Sequence, residues 1–253
     1  MVVSSDARTV WAMMNRAGLA AALLAVLSPV AAWAGSSNPA PVTTPYQPAF
    51  NPADFGGPID NPYLPLKQGT VFRYRAVGDD GRTPELNTVR VTRRAKRIMG
   101  VDATVVLDQV FSDGEPEERT FDWYAQDDQG NVWYLGENSM NFEHGRWVRD
   151  DGSWEAGVGR AKPGIIMLAH PTRGEAYRQE YAPGDALDQA QVLGGAGAVR
   201  VPFRSFKRTL LTLEYSSIDH QYELKWYARG VGVIKEKALT ESKELSELVA
   251  IKR

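Results

Sequence analysis

Three titratable side chains form a possible acid–base set: Glu155, His170 and Glu180. Glu155 follows Trp154 and Glu180 precedes Tyr181, and apolar neighbours raise the pKa of a carboxyl group, which lets it act as a general acid. His170 ends an apolar run, and an imidazole titrates near neutral pH. The set predicts hydrolase or lyase chemistry only if the three side chains converge in one cleft. Ion pairs of the carboxylates and a rim position of the histidine are the ordinary alternatives.

A second set combines aromatic rings with charged groups and indicates ligand binding. Aromatic side chains supply large apolar surfaces that also carry polar handles, and a few charges beside them would orient a bound molecule. The set comprises Asp122, Trp123, Trp154, Tyr177, Arg178 and Tyr181. Which of these side chains share a cavity depends on the fold.

Several other chemistries are excluded or lack their motifs. The chain has no cysteine, which excludes disulfides, thiol nucleophiles and Cys-ligated zinc. Its 3 histidines form no H-E-x-x-H pattern, and G-x-S-x-G does not occur. Residues 126–137 place acids around a glycine but lack the alternation of a calcium loop, which favours an acidic β-turn. We therefore predict neither a metal nor a cofactor.

The elements that must position these residues are predicted to be strands. Residues 70–76 alternate arginines with Phe72 and Tyr74, a period of two that is typical of a strand with one buried face. Similar segments follow across 88–136 and 210–238, and only 185–193 shows a helical pattern. The sequence predicts a mainly β fold, a curved antiparallel sheet or half-barrel of β-hairpins with an irregular insert and at most one or two short helices.

Two segments, 101–137 and 206–238, look like repeated β-hairpins. Each runs through Trp-Tyr-Ala, at 123–125 and 226–228, into a glycine-containing turn and a return strand. Either an internal duplication or convergent hairpin chemistry explains the likeness. The insert between them, 138–200, is rich in Gly and Pro, and long excursions from a sheet are where binding surfaces usually lie.

The N-terminal segment is predicted to be a secretory signal peptide. Arg8 and Arg16 precede an uncharged apolar run, and Ala32, Trp33 and Ala34 offer small residues at the cleavage positions. The run is shorter than the roughly 20 apolar residues of a membrane span, and no cysteine follows that could carry a lipid. The predicted division is 1–34 signal peptide, 35–60 Pro-rich flexible lead-in and 61–253 one β-dominated domain. The mature chain would be soluble, in a periplasm or in the medium.

Several segments resemble a family of uncharacterised exported bacterial proteins over most of residues 60–250. They are NPYLPL, DWYAQDDQGNVWYLGE, GSWEAG and the run HP…YRQEY…G. That family carries no settled activity, so the resemblance lends no catalytic residues. The segment WYARGVGVIKE also resembles periplasmic half-barrel proteins that hold lipid or lipoprotein in a concave sheet. This second resemblance implies a fold and does not fix a function.

The sequence therefore predicts an exported binding or carrier-like protein that holds an apolar or amphipathic ligand on a concave sheet. Its 29 basic and 31 acidic residues favour neither nucleic acid nor anionic lipid as a partner, so a small molecule or an envelope component is expected. A hydrolase or lyase is the first alternative, although no assembled catalytic motif supports an enzyme. An envelope structural or interaction module is the second. Ligand identity and oligomeric state lie beyond the sequence.

Overall fold

A computed structural model describes residues 46–78, 80–218, 220–240 and 244–253. The predicted signal peptide, its cleavage site and the first part of the lead-in lie outside the described residues. The described chain forms one short 3-10 helix, Pro52–Asp54, and fourteen strands. The strands are β1 Val71–Val77, β2 Pro84–Ile98, β3 Val101–Ser112, β4 Glu115–Gln126, β5 Val132–Glu143, β6 Arg146–Arg149, β7 Trp154–Glu155, β8 Gly164–Met167, β9 Ala176–Arg178, β10 Asp188–Arg200, β11 Ser205–Ser216, β12 Tyr222–Ala228, β13 Gly232–Ala238 and β14 Leu245–Lys252.

The sheet consists of two antiparallel meanders that meet side by side. Its order is β6-β5-β4-β3-β2-β1-β14-β13-β12-β11-β10-β9, so the first and last strands pair at the centre. The short strands β7 and β8 pair with β5 beside this path. The prediction of a mainly antiparallel β fold is confirmed, and the sheet does not close into a barrel.

Alternation of side chains decides what each strand buries. In β1, Phe72 and Tyr74 are buried whereas Arg73 and Arg75 are exposed, as their period of two predicts. Tyr74 reaches across the interior, where its hydroxyl donates a hydrogen bond of 3.0 Å to the carbonyl oxygen of Val233. The sheet is therefore curved, with the inward side chains of distant strands facing one another.

The helix predicted at 185–193 is wrong, because most of this segment belongs to β10. Ala190 and Val192 are each 1% exposed, and the residue between them is less buried, which is the alternation of a strand. Ladders to β9 on one side and β11 on the other satisfy its backbone. These tertiary contacts outweigh the helix propensity of Ala, Leu and Gln. Among the described residues, no helix is long and apolar enough to cross a membrane.

The insert predicted at 138–200 contains strands of its own and connects the two outer parts of the sheet. β8 pairs with β5, and just before it the backbone N–H of Lys162 donates to the carbonyl oxygen of Tyr181 at 2.8 Å. The approach is so close that a Cβ atom on Gly164 would overlap the carbonyl oxygen of Gln179. This contact brings Glu180 into the interior, where it is 1% exposed.

Residues 46–66, here called the strap, lie along the domain before β1. The side-chain amide of Asn61 donates to the carbonyl oxygens of Gly130 and Leu168, at 2.8 Å and 3.0 Å. Its side-chain oxygen accepts the backbone N–H of Leu64 at 3.1 Å. Asn61 is itself 1% exposed, so one buried amide fixes the strap and places Leu64 and Leu66 against the interior.

Candidate functional site

A partly open cleft of about 60 Å³ lies inside the curved sheet, next to the strap. One part of its lining is apolar: Leu64, Leu66, Phe72, Val89, Val106 and Val233. The other part is polar: Tyr74, Asn87, Asp108, Asp122, Tyr124 and Glu236. Because one buried water needs roughly 15 Å³ by this measure, the cleft has room for about four waters or for one compact polar group.

The deepest part of the cleft is acidic. Asp108 and Tyr124 are each 2% exposed and Asp122 is 3% exposed, whereas Val89 and Val233 on the apolar side are only half-buried. Burial raises the pKa of Asp108 well above its ordinary value, and nearby carboxyl groups, that of Asp122 first, raise it further. Asp108 at the floor of the cleft therefore has a strong unmet need for a compensating charge or proton.

Three oxygens at the cleft lack hydrogen-bond partners within the described residues. They are Oδ1 of Asp108, Oδ1 of Asn87 and the hydroxyl of Tyr124. A buried polar atom without a partner costs roughly 1–3 kcal/mol, and such atoms are rare in folded proteins. All three oxygens lie on the walls of one cleft, so the side chains around it leave its polar part unsatisfied.

Asp122 forms a carboxyl pair with Glu137 on the neighbouring strand. The two residues stand directly opposite in the β4–β5 ladder. The Tyr134 hydroxyl lies 2.7 Å from Asp122 Oδ1 and 2.9 Å from Glu137 Oε2. One hydroxyl can donate only one proton, so the second contact is a hydrogen bond only if a carboxyl group supplies the proton. Burial raises the pKa of Asp122 to about 7, and burial together with Asp122 raises the pKa of Glu137 well above its ordinary value.

Further carboxyl groups extend this acidic interior. Glu118 accepts hydrogen bonds from the hydroxyls of Thr120 and Ser139, at 2.8 Å and 3.1 Å, and burial raises the pKa of Glu118 to about 7. Burial, and then the carboxyl group of Asp188, raise the pKa of Glu180. The described residues contain no group of three or more His, Asp or Glu side chains arranged to hold a metal ion.

Lys225 on β12 stands among carboxylates, two of which, Glu223 and Glu236, also line the cleft. Its Nζ lies 3.1 Å from Glu214, 3.4 Å from Glu223 and 3.8 Å from Glu236. Burial acts to lower the pKa of Lys225, but these carboxylates together raise it above its ordinary value. Lys225 is 4% exposed, so the ammonium and its partners form a buried ion network.

No family model matches the chain. No curated protein matches it either. Two solved structures are similar: a candidate exported protein with a YmcC-like fold from Bacteroides fragilis, and a candidate lipoprotein from Parabacteroides distasonis. The first is 15% identical with a TM-score of 0.45 and covers 76% of this chain and 99% of its own. The second is 11% identical with a TM-score of 0.40 and covers 76% and 100%. Scores this low carry no inference about the fold or function of this chain.

Of the predicted ligand-binding residues, Asp122 lines the cleft and its two tryptophan companions lie elsewhere. Trp123 points to the opposite face of β4, where the Nζ of Lys96 lies 3.3 Å from its ring centroid. Trp154 is buried and packs edge-on against Tyr134, with ring centroids 5.4 Å apart. Trp154 thus packs on the tyrosine that contacts the carboxyl pair, whereas Trp123 faces away from the cleft.

The other predicted ligand-binding residues lie on β9 and just after it, outside the lining of the cleft. Tyr177 is buried, and within the described residues its hydroxyl has no hydrogen-bond partner. Arg178 donates to the carbonyl oxygen of Leu187 at 3.3 Å. Tyr181 packs against Tyr46 of the strap, with ring centroids 5.2 Å apart.

The structure places the three predicted catalytic residues in different environments. Glu155 forms an ion pair of 2.7 Å with Lys96, and about a third of its side chain is exposed. His170 is exposed at the surface, whereas Glu180 is buried among the interior carboxyl groups. Only Glu180 therefore stands near the acidic interior.

Sequence analysis missed Asp108, Tyr124 and Glu137. A signal was present for Asp108, because it lies two residues from both Val106 and Val110 in an alternating strand and so must share their buried face. Nothing comparable marks Glu137, since a bulge shifts the register of β4 against β5 between Asp122 and Tyr124.

Proposed function

We propose that the chain is an exported binding or carrier-like protein that takes an amphipathic small molecule into the cleft. The observation that most supports this is the divided lining, which sets apolar side chains of the strap and of β1–β3 against a buried acidic floor with unpartnered oxygens. Ligand sites are concave and mostly apolar, with a few convergent polar groups that fix orientation.

The size of the cleft bears on how such a ligand would enter. Its volume of about 60 Å³ is smaller than the roughly 150 Å³ of an apolar cavity known to admit benzene. A head group and the first carbons of a chain fit at this size, and the remainder of the ligand would extend along Leu64 and Leu66. Burial of apolar ligand surface there contributes about 25 cal/mol per Å².

Export is the second half of the proposal and is supported by the N-terminal pattern of residues 1–34, which lie outside the described residues. The test is fractionation of the native cells followed by N-terminal sequencing of the mature chain. A mature protein that begins at Gly35 and occurs in the periplasm or medium supports export. Uncleaved protein confined to the cytoplasm contradicts it.

Ligand binding is tested by native mass spectrometry of protein purified from its own compartment. We expect an adduct of one amphipathic molecule that Val106→Phe removes, because the larger side chain fills the cleft. The matched control is Val110→Phe, the same change on the same buried face of β3 but outside the lining. Overpacking costs about 1–3 kcal/mol at either site, so only the cleft variant should lose the adduct. Repeatedly ligand-free protein would remove the proposal.

A hydrolase or lyase is the second candidate, now with the Asp122–Glu137 pair in place of the dispersed set. Two carboxyl groups held together with raised pKa values are an arrangement that acid–base enzymes use. The test is incubation with envelope polysaccharides and detection of new products by mass spectrometry. Products that disappear in Asp122→Asn and persist in Glu155→Gln would favour this candidate over a carrier.

A further inference from the structure

The β3–β4 and β11–β12 hairpins share one register, which makes their inward residues directly comparable. Asp122 stands opposite Val106, and Lys225 stands opposite Thr212 at the same step from the Trp-Tyr-Ala sequence. By the same register, the equivalent inward pairs are Tyr124 with Tyr227, Asp122 with Lys225, and Asp108 with Glu214. Two hairpins with one layout therefore differ in charge at one decisive position.

In the β11–β12 hairpin the lysine, the glutamate and the tyrosine at these inward positions all contact one another through Glu214. The Lys225 ammonium pairs with Glu214 at 3.1 Å, and the Tyr227 hydroxyl donates to Glu214 Oε1 at 2.9 Å. Lys225 also pairs with Glu223 and with Glu236 of the next strand, at 3.4 Å and 3.8 Å. A buried ammonium surrounded by carboxylates and a tyrosine is thus a stable arrangement in this fold.

On its inward face the β3–β4 hairpin has the equivalent carboxylate, Asp108, and the equivalent tyrosine, Tyr124, but no lysine or arginine between them. Within the described residues, no lysine or arginine forms an ion pair with Asp108 or Asp122. The Tyr124 hydroxyl and Asp108 Oδ1 are buried without partners, whereas Tyr227 and Glu214 are bonded to each other. The first hairpin therefore has the carboxyl group of Asp122 where the second has the Lys225 ammonium, and its equivalent carboxylate and tyrosine are left without a cation.

We infer that the head group of the ligand is a primary ammonium bound by Asp108, Asn87 and Tyr124. It would pair with Asp108 as the Lys225 ammonium pairs with Glu214 in the other hairpin. This inference rests on the proposed function. A primary ammonium has three N–H donors, and the cleft offers three buried oxygens without partners. The acidic floor supplies the countercharge and the apolar lining takes the attached chain.

Other head groups fit less well. An anionic head would bring a further negative charge next to the carboxyl groups of Asp108 and Asp122 and would compensate neither of them. A quaternary ammonium carries charge but no N–H donor, and it would leave the three oxygens unsatisfied. A neutral alcohol has one donor and no charge, so it would satisfy only one of the three oxygens and would not compensate the carboxyl groups.

The test compares three probes that share one chain and differ only in the head: n-octylamine, n-octanol and n-octanoate. Isothermal titration calorimetry of the full mature protein, stripped of ligand, measures each affinity at neutral pH. We expect the amine to bind at least roughly tenfold more tightly than the alcohol, the effect of one hydrogen bond between charged groups. The carboxylate should bind most weakly.

The variant Asp108→Asn keeps the shape of the side chain and removes its charge. We expect it to lose roughly tenfold in affinity for the amine while its affinity for the alcohol stays within about twofold, which also shows that the cleft has folded. The matched control is Asp102→Asn on the same strand, since Asp102 is exposed and pairs only with Arg97 at the surface. The control should bind all three probes as the parent does.

The outcomes distinguish a failure of the ammonium head group from a failure of the proposed amphipathic site. If the alcohol or the carboxylate binds as tightly as the amine, the ammonium head is wrong and the amphipathic site stands. An equal loss of amine and alcohol binding in Asp108→Asn also overturns the ammonium head. If none of the three probes binds, the proposed function itself fails.

Discussion

The outer faces of the β3–β4 and β11–β12 hairpins are built alike. On the first, the Nζ of Lys96 lies 3.3 Å from the ring centroid of Trp123, and on the second the Nζ of Lys235 lies 5.8 Å from that of Trp226. Each lysine also pairs with a glutamate on another strand, at 2.7 Å to Glu155 of β7 and at 2.9 Å to Glu247 of β14. On both hairpins a lysine thus lies near the equivalent tryptophan ring and pairs with a glutamate, although Trp123 is buried and Trp226 only partly so.

Their inner faces differ in the sign of one charge. Asp122 occupies the place in the first hairpin that Lys225 occupies in the second. In the second interior the Lys225 ammonium pairs with three glutamates, whereas within the described residues Asp108 and Asp122 of the first have no ion pair. Two hairpins of the same register can therefore keep similar packing while the charge of one inward position changes sign.

Removal of the buried cation should give the largest effect on stability. Lys225→Met leaves three glutamates without their ammonium, and breaking a buried ion network in this way costs about 3–5 kcal/mol. Urea denaturation at neutral pH measures the loss. The control is Lys235→Met on the outer face, where a partly exposed pair contributes at most about 1 kcal/mol. Equal losses in the two variants would show that the interior network is no stronger than a surface pair.

The two equivalent tyrosines should respond differently to the loss of their hydroxyls. Tyr227→Phe removes a hydrogen bond to Glu214 and should cost about 1.5–3 kcal/mol, as bonds to charged groups do. Tyr124→Phe removes a hydroxyl that has no partner, so in ligand-free protein it should be neutral within about 0.5 kcal/mol or stabilising. Denaturation of both variants measures the change in the free energy of unfolding that each substitution causes. A large loss in Tyr124→Phe would contradict the finding that the Tyr124 hydroxyl has no hydrogen-bond partner.

Stability should fall as the pH rises through the neutral range. The pKa values of Asp122 and Glu118 are raised by burial to about 7, above their ordinary values of 3.8 and 4.5. Between those limits the folded state binds more protons than the unfolded state, so the stabilisation is complete below about pH 4 and is lost as the pH approaches 7. Each excess proton gives a slope of about 1.4 kcal/mol per pH unit.

Thermal melting in a series of buffers measures this slope. Asp122→Asn should flatten the profile, and Asp102→Asn, at an exposed surface pair, should leave it unchanged. A profile that rises from pH 5 to pH 7 would contradict the raised pKa values.

The smallest effect is expected on the outer face. Lys96→Met removes a half-buried ion pair with Glu155 and a cation–π contact with Trp123, each worth about 1 kcal/mol or less. Lys235→Met should match it within about 0.5 kcal/mol if the two outer faces are equivalent. Denaturation of both variants under one set of conditions tests the likeness.

The sequence was sufficient to predict the strands and the two hairpins. Alternation in residues 70–76 identified the buried face of β1 correctly, and the Trp-Tyr-Ala segments lie in β4 and β12 as strands. The helix at 185–193 failed because propensity is local, whereas β10 is held by ladders to two other strands.

The candidate site could be predicted only in part. Asp122 was singled out for its aromatic neighbour, yet the carboxyl groups near it, Glu137 and Asp108, stand on other strands and approach it only through register and curvature. An acidic side chain in an alternating strand is ordinarily expected to face solvent. For that reason Asp108 and Glu137 were not predicted as part of the site. Glu155 and His170 stood beside apolar residues in sequence, but their side chains face an ion pair and solvent instead.

The central β1–β14 ladder has a consequence for how the chain folds. Each meander can form from contiguous residues, but the ladder joins Val71 to Lys252 and so must close a loop that spans nearly the whole domain. Contacts of such large sequence separation slow folding, and this one waits for the last strand of the described chain. Both halves can therefore be made early, while the interior between them is assembled only when β14 arrives.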